Sequence, residues 1–178
     1  MTAGHDEQLL IEQAAHGNKE AFGDLYEAYL HEIYRYIYFR VNHAQDAEDL
    51  TEATFLKAWQ SIARCVEEGA SFRRWVFRIA HNTVVDFYRM RKETAVLDGE
   101  LVVVDETADL ESNYQQAELA QVLAAGVAGL KPAYQQVLTL RFVNGLDVET
   151  AAQIMERSPG AVRVLQHRAL QALLAQMQ

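Results

Sequence analysis

Apolar residues return every three or four positions through residues 20–42, 46–64, 71–92, 112–128, 132–143, 148–156 and 160–176, and no stretch alternates strictly between apolar and polar. That spacing predicts helices and excludes a half-buried sheet, so the expected fold class is all-α. The punctuation agrees with it. Pro132 suits a first helical turn, Gly145 suits the residue after a helix end, and Asp147 and Ser158 can each cap the helix that follows. Only residues 93–112 lack a long helical pattern. Their one apolar run, Leu101 to Val104, reads either as a short strand or as a sticky patch that docks on a partner or on the protein itself.

Charge sharpens this outline. The 178 residues carry a formal charge of -9, which disfavours a protein that coats nucleic acid through its overall field. The distribution is uneven: residues 1–70 are net -8, residues 71–92 net +5, residues 93–118 net -8 and residues 119–178 net +2. Two small domains are expected, over 1–92 and 113–178, joined by an acidic linker at 93–112. With 50% hydrophobic residues, two prolines and nine glycines the composition is globular. Apolar stretches of a few residues are far short of a membrane span, and the acidic N-terminus is unlike a signal peptide, so no membrane insertion is expected. The single Cys65 fits a reducing, cytoplasmic compartment.

On the basic helix, Phe72, Trp75, Val76, Ile79, Ala80, Thr83, Phe87 and Met90 share a core arc. Arg74, Arg78, Asn82, Val85, Arg89 and Lys92 lie opposite, with His81 beside them and Phe77 and Tyr88 along one edge. Such a stripe usually intersperses acids at i+4, and within residues 71–92 none stand there. Cations, aromatics and an amide in a row can neutralise phosphates, stack on an unpaired base and bond its edge. The plainer alternative is that Phe77 and Tyr88 pack against a neighbouring helix while the arginines are solvated.

The helix before it turns Ala47, Leu50, Thr54, Phe55, Ala58 and Ile62 inward and Asp46, Asp49, Glu52 and Leu56 outward. A leucine inside a carboxylate rim suits protein docking, or is one stray exposed apolar residue. Near the C-terminus, helices expected at 148–156 and from 160 flank a short break at 157–159, a helix-turn-helix pattern in which Ala151 and Ala152 permit a close crossing. On the second of these, Val162, Leu165, Ala169, Leu170 and Leu173 face the core, while Gly160, Arg163, Val164, His167, Arg168 and Gln171 face out. Small residues at its start let the helix approach a major groove, with Arg163 and His167 in reach of bases and Arg168 or Gln171 of phosphates. Gln166 falls near the core arc without an evident reason.

Three stretches together resemble bacterial RNA polymerase sigma factors of the extracytoplasmic-function type. DAEDLTEATFLKAW (46–59) is similar to the family's polymerase-binding helix, FRRWVFRIAHNTVVDFYRMRK (72–92) to its promoter-melting helix, and residues 130–170 to its upstream-element reader. The resemblance implies that Asp46, Asp49, Glu52 and Leu56 dock on the clamp helices of the largest polymerase subunit, and that the C-terminal domain sits on the flap of the second-largest. It implies that the acidic linker lies in the RNA-exit path. Arg74, Phe77, Arg78, Asn82, Tyr88 and Arg89, with the loop from about Arg64 to Ser71, would engage the melted downstream promoter element. Ser158, Gly160, Ala161, Arg163, Val164, His167 and Arg168 would serve the upstream element as duplex. An inhibitory anti-sigma protein is a further implied partner. The chain departs from the family's usual pattern at Glu52-Ala53, where many members have Gln-Glu, and at Val162 to Gln166, where many have V-K-x-R-L.

Two other functions compete. An autonomous, dimeric helix-turn-helix regulator would bind duplex DNA alone, against which stand the charge of -9 and only five cations after residue 118. A hydrolase using His81 and Asp86 would need both on one side of a helix, and their spacing of five points them apart. The six histidines lack metal-ligand spacing and no glycine-rich phosphate loop occurs, so no metal, cofactor or catalysis is expected.

Overall fold

The computed structural model describes residues 3–98 and 114–177, all of whose regular elements are helical. In chain order these are α1 (Ala3–Ala15), α2 (Lys19–Val41), α3 (Ala44–Glu67), α4 (Phe72–Asp98), α5 (Tyr114–Ala128), α6 (Pro132–Leu138), a π-helical turn (Thr139–Val143), α7 (Val148–Met155) and α8 (Pro159–Gln176). The segment Leu101 to Val104 lies outside the described residues, and α4 continues to Asp98, past the boundary expected at 92. Helix α1 precedes the first of the periodic segments, 20–42. It is held from outside: Glu7 accepts from the Tyr29 hydroxyl at 2.7 Å and from the Phe72 amide at 2.9 Å. A carboxylate on the first amide of α4 satisfies an otherwise orphan donor and suits the positive end of the helix dipole.

Caps delimit the N-terminal half. The Asn18 side chain accepts from the Glu20 and Ala21 amides to start α2, and Asn42 ends it in the left-handed region at φ 52°. Helix α3 bends at Ser61, whose φ of -122° is non-helical and whose hydroxyl donates to the Lys57 carbonyl at 2.7 Å. Helices α1 to α4 enclose a core containing Ile11, Leu25, Ile33, Ile37, Phe55, Ile62, Phe72, Trp75, Val76 and Val84. Each large apolar side chain fully removed from water contributes about 1.5–3 kcal/mol. Cys65 is part of this wall; its thiol donates to the Ala70 carbonyl, and burial followed by the nearby Glu68 pushes its pKa up to about 12.

In the C-terminal half, Ala124, Val127, Val137, Leu140, Leu146, Ile154, Val162 and Ala169 form the centre. Helix α8 packs closely on α5: a Cβ at Gly126 would stand 3.1 Å from Leu173 Cδ1, and one at Gly129 2.9 Å from Gln176 Nε2. The Leu173 and Gln176 side-chain ends occupy the space these glycines leave open. Asp147 caps α7 by accepting from the Thr150 amide, and Ser158 caps α8 by accepting from the Ala161 amide, with Pro159 in the first turn.

The two halves meet along one face of α2 and the start of α4. Arg35 donates through Nη2 to the Val143 carbonyl at 2.5 Å, and Asn144 donates through Nδ2 to the Glu32 carbonyl at 2.8 Å. Gln136 of α6 is buried beside the hydroxyl of the buried Tyr36. Arg74 Nη1 donates to Gln153 Oε1 at 3.4 Å, and Arg78 Nε stands 3.9 Å from Glu156 Oε1, so α7 lies over the first turns of α4.

Candidate nucleic-acid and polymerase interface

Helix α4 carries its cations on the side away from the core, but acids from other elements answer them. Arg73 pairs with Glu32 at 2.9 Å, Arg78 with Glu68 at 3.0 Å, and Arg91 with Asp46 at 3.5 Å. Arg89 meets Asp86 at 3.2 Å, three residues earlier on the same helix. The acids missing at i+4 are therefore supplied largely by tertiary structure. All of these pairs are partly exposed, where ion pairs contribute little and exchange readily for another anion.

The aromatic edge of α4 divides. Phe77 is fully buried and sits edge to face with Tyr36 at 5.3 Å, so the expected base-stacking role does not fit it. Its position fills the space between α2 and α4, which is the packing alternative. Tyr88 is exposed on its ring side while its hydroxyl donates to the Arg40 carbonyl at 2.6 Å. Asn82 and Val85 face solvent as expected. Met90, expected in the core, is 63% exposed, and Val84, absent from the expected arc, is fully buried. The loop expected from Arg64 is shorter, because α3 runs to Glu67, and Gly69 takes the left-handed φ of 57° within it.

The acidic face of α3 is exposed as expected, with one modification. Leu56 is 57% exposed, and Asp49 and Glu52 are exposed with it. Asp46 is half-buried between His43 at 3.3 Å and Arg91 at 3.5 Å. On α8, Ser158, Gly160, Ala161, Arg163, Val164, His167 and Arg168 are all exposed, and Val162 and Ala169 are buried as expected. Arg163 reaches back to Glu149 of α7 at 3.3 Å, an exposed pair. Gln166 is explained by a neighbour that periodicity could not reveal: its Oε1 accepts from Arg141 Nε at 3.0 Å.

His81 and Asp86 are not a catalytic pair. His81 Nδ1 accepts from Arg40 Nη1 at 2.9 Å, and burial followed by the Arg40 charge holds its pKa down at about 4. Asp86 serves Arg89 and Lys57 instead. Arg40 itself is a buried residue that sequence reasoning passed over; a charged residue inside an apolar run at the end of α2 was the available signal.

A cationic helix in one half and a capped, exposed helix-turn-helix in the other define a helical DNA-binding protein built from two units. The Sigma-70 region 2 family model matches residues 25–94, and the Sigma-70 region 4 model matches residues 114–173. The chain is 37% identical over 166 residues to the ECF RNA polymerase sigma factor BldN of Streptomyces coelicolor, covering 92% of this chain and 63% of that protein. It is 34% identical to the ECF RNA polymerase sigma factor ShbA of Streptomyces griseus, covering 93% and 92%, and 25% identical to SigW of Bacillus subtilis, covering 94% of each. CnrH, solved in complex with the cytosolic domain of CnrY, superposes with a TM-score of 0.74 at 25% identity over 97% of both chains. RpoE of Bartonella quintana, solved with the anti-sigma factor NepR, shares the fold at a TM-score of 0.70 and 22% identity, over 85% of this chain and 93% of that one. The chain belongs to the RNA polymerase sigma factors of the extracytoplasmic-function type. No described helix is long and apolar enough to cross a membrane.

Proposed function

We propose that this chain is a promoter-specificity subunit without catalysis of its own, acting in the cytoplasm, where its family's polymerase works. Asp49, Glu52 and Leu56, with Asp46 at their margin, dock on the clamp helices of the largest polymerase subunit, and the C-terminal half rests on the flap of the second-largest. Arg74, Arg78, Asn82, Tyr88 and Arg89 engage the melted downstream element. Ser158, Gly160, Ala161, Arg163, Val164, His167 and Arg168 form the end of α8 that enters the major groove at the upstream element. Phe77 is left out because it is core.

The observation that carries this reading is the N-terminal end of α8, capped by Ser158 and small at Gly160 and Ala161, with every outward residue exposed. A helix presented this way can approach base edges without steric obstruction. A net charge of -9 supports delivery to DNA by a larger assembly over unaided binding. The closed seam, in which α7 takes up Arg74 and Arg78, is a form that must separate before both promoter elements are engaged, and an inhibitory anti-sigma protein is the expected partner of that form. Bacterial core polymerase supplemented with this chain is expected to give specific run-off transcripts from promoters of the source genome. Absence of any specific transcript, with the purified chain binding duplex DNA tightly alone, would replace this reading with that of an autonomous regulator.

A further inference from the structure

Among the described residues, Arg40 is a buried cation without an anion. Arg40 is 1% exposed, and no carboxylate among the described residues lies within ion-pairing distance of it. Its Nη1 donates to the Tyr36 hydroxyl at 2.8 Å and to His81 Nδ1 at 2.9 Å, its guanidinium lies 5.4 Å from the Tyr36 ring centre, and its Nε finds no acceptor among the described residues. The acids around the seam are committed elsewhere, Glu32 to Arg73, Asp46 to Arg91, Glu68 and Glu156 to Arg78. Burying an uncompensated charge is costly, and neutral acceptors plus a ring face recover only part of it.

Tyr36, which receives one of the Arg40 bonds, has a neighbour in the other half of the chain. Gln136 of α6 is buried beside the Tyr36 hydroxyl, and the Arg35 and Asn144 contacts hold the π-helical turn against α2 one to two turns before Arg40. On α4, His81 adjoins Asn82 and Tyr88 bonds the Arg40 carbonyl. The cluster therefore borders the surface assigned above to the melted strand. With Nδ1 accepting from Arg40, the neutral imidazole carries its proton on Nε2, so guanidinium, phenol and imidazole are all donors once their internal bonds are given up. That set matches phosphate oxygens and offers little to discriminate one base from another.

We propose that Tyr36, Arg40 and His81 form a phosphate-binding cluster for the promoter strand, which Gln136 covers in the closed chain and which opens when the C-terminal half leaves α2. Closure and strand binding then compete for the same residues, and the unpaired Arg40 charge favours opening. This rests on the promoter-specificity reading, and the tests separate the two. In the full chain, phenylglyoxal with peptide mass mapping should leave Arg40 unmodified when the protein is free, modify it in holoenzyme without DNA, and find it protected again on a promoter fragment that yields a run-off transcript. Arg40 equally unreactive in holoenzyme, or protected as well by the same concentration of inorganic phosphate, overturns the proposal. Arg40→Met should lower open-complex formation about tenfold and reduce the salt dependence by about one phosphate contact, with the thermal midpoint of the free chain unchanged or raised. Wild-type open complexes from Arg40→Met overturn it, and should that variant fail to fold, the modification pattern decides alone. Failure of the wild-type holoenzyme to transcribe removes the parent reading instead.

Discussion

Arg141 and Gln166 join the π-helical turn to the middle of α8: the guanidinium Nε donates to the amide Oε1 at 3.0 Å, while Nη1 of the same arginine donates to the Leu146 carbonyl. One side chain thus ties the middle of α8 to the turn that precedes α7. Gln166→Leu leaves the arginine Nε without its acceptor in a half-buried setting and should cost about 1 kcal/mol or somewhat more. Chemical denaturation of the free chain measures it, and an unchanged midpoint would mean that water replaces the glutamine.

Arg163 is exposed and paired only with the equally exposed Glu149, so its removal should hardly touch stability. If it makes a bidentate contact to a base, Arg163→Ala should lower discrimination at one upstream base pair by about 1–3 kcal/mol. Competition transcription across single-base promoter variants reads this out. An unaltered base preference removes Arg163 from the reading set.

Arg78 and Asn82 stand on the outer side of α4, and neither belongs to the acidic docking face of α3. Arg78→Ala and Asn82→Ala should impair promoter opening, seen as weaker permanganate reactivity of the melted thymines, while polymerase association measured by co-purification is retained. Loss of association would assign this helix to polymerase docking.

His81 is held neutral by burial and by Arg40, with its pKa lowered to about 4 from an ordinary 6.5. Below 6.5 the unfolded chain takes up a proton that the folded chain refuses, so this group's contribution is intact above 6.5 and is lost as pH falls toward 4. His81→Gln keeps an acceptor for Arg40 without the titration. The decline in thermal midpoint between pH 6.5 and 4 should be shallower in that variant, and an identical slope would assign the decline to carboxylates.

The helix arcs were legible wherever a helix shows a single face to the core. Residues 46–64 and the start of α8 turned as their spacing required, because a single buried stripe fixes the rotation of the whole element. Helix α4 was harder. Its 27 residues extend beyond the body they pack on, so Met90 is exposed where the arc extrapolated it inward, and Val84 and Phe77 are buried because α2 covers a second face. The partners of the α4 cations were illegible for another reason: Glu32, Asp46, Glu68 and Glu156 come from distant positions in the chain, and local spacing carries no record of them. The seam is still less visible, since Arg35 and Asn144 bond backbone carbonyls, which any residue would supply. On α3, by contrast, Glu52 and Leu56 could be found from sequence because a leucine on a carboxylate face breaks the expected pattern of its own helix.

The sequestered Cys65 gives this molecule a practical advantage. Burial holds the thiol pKa up at about 12, and alkylating reagents act on thiolates, so the native chain should react slowly with maleimides. A cysteine introduced at an exposed position on each half would take up dye almost alone, and the separation of the halves could be followed by energy transfer during recruitment to polymerase, without first engineering the natural sulfhydryl away.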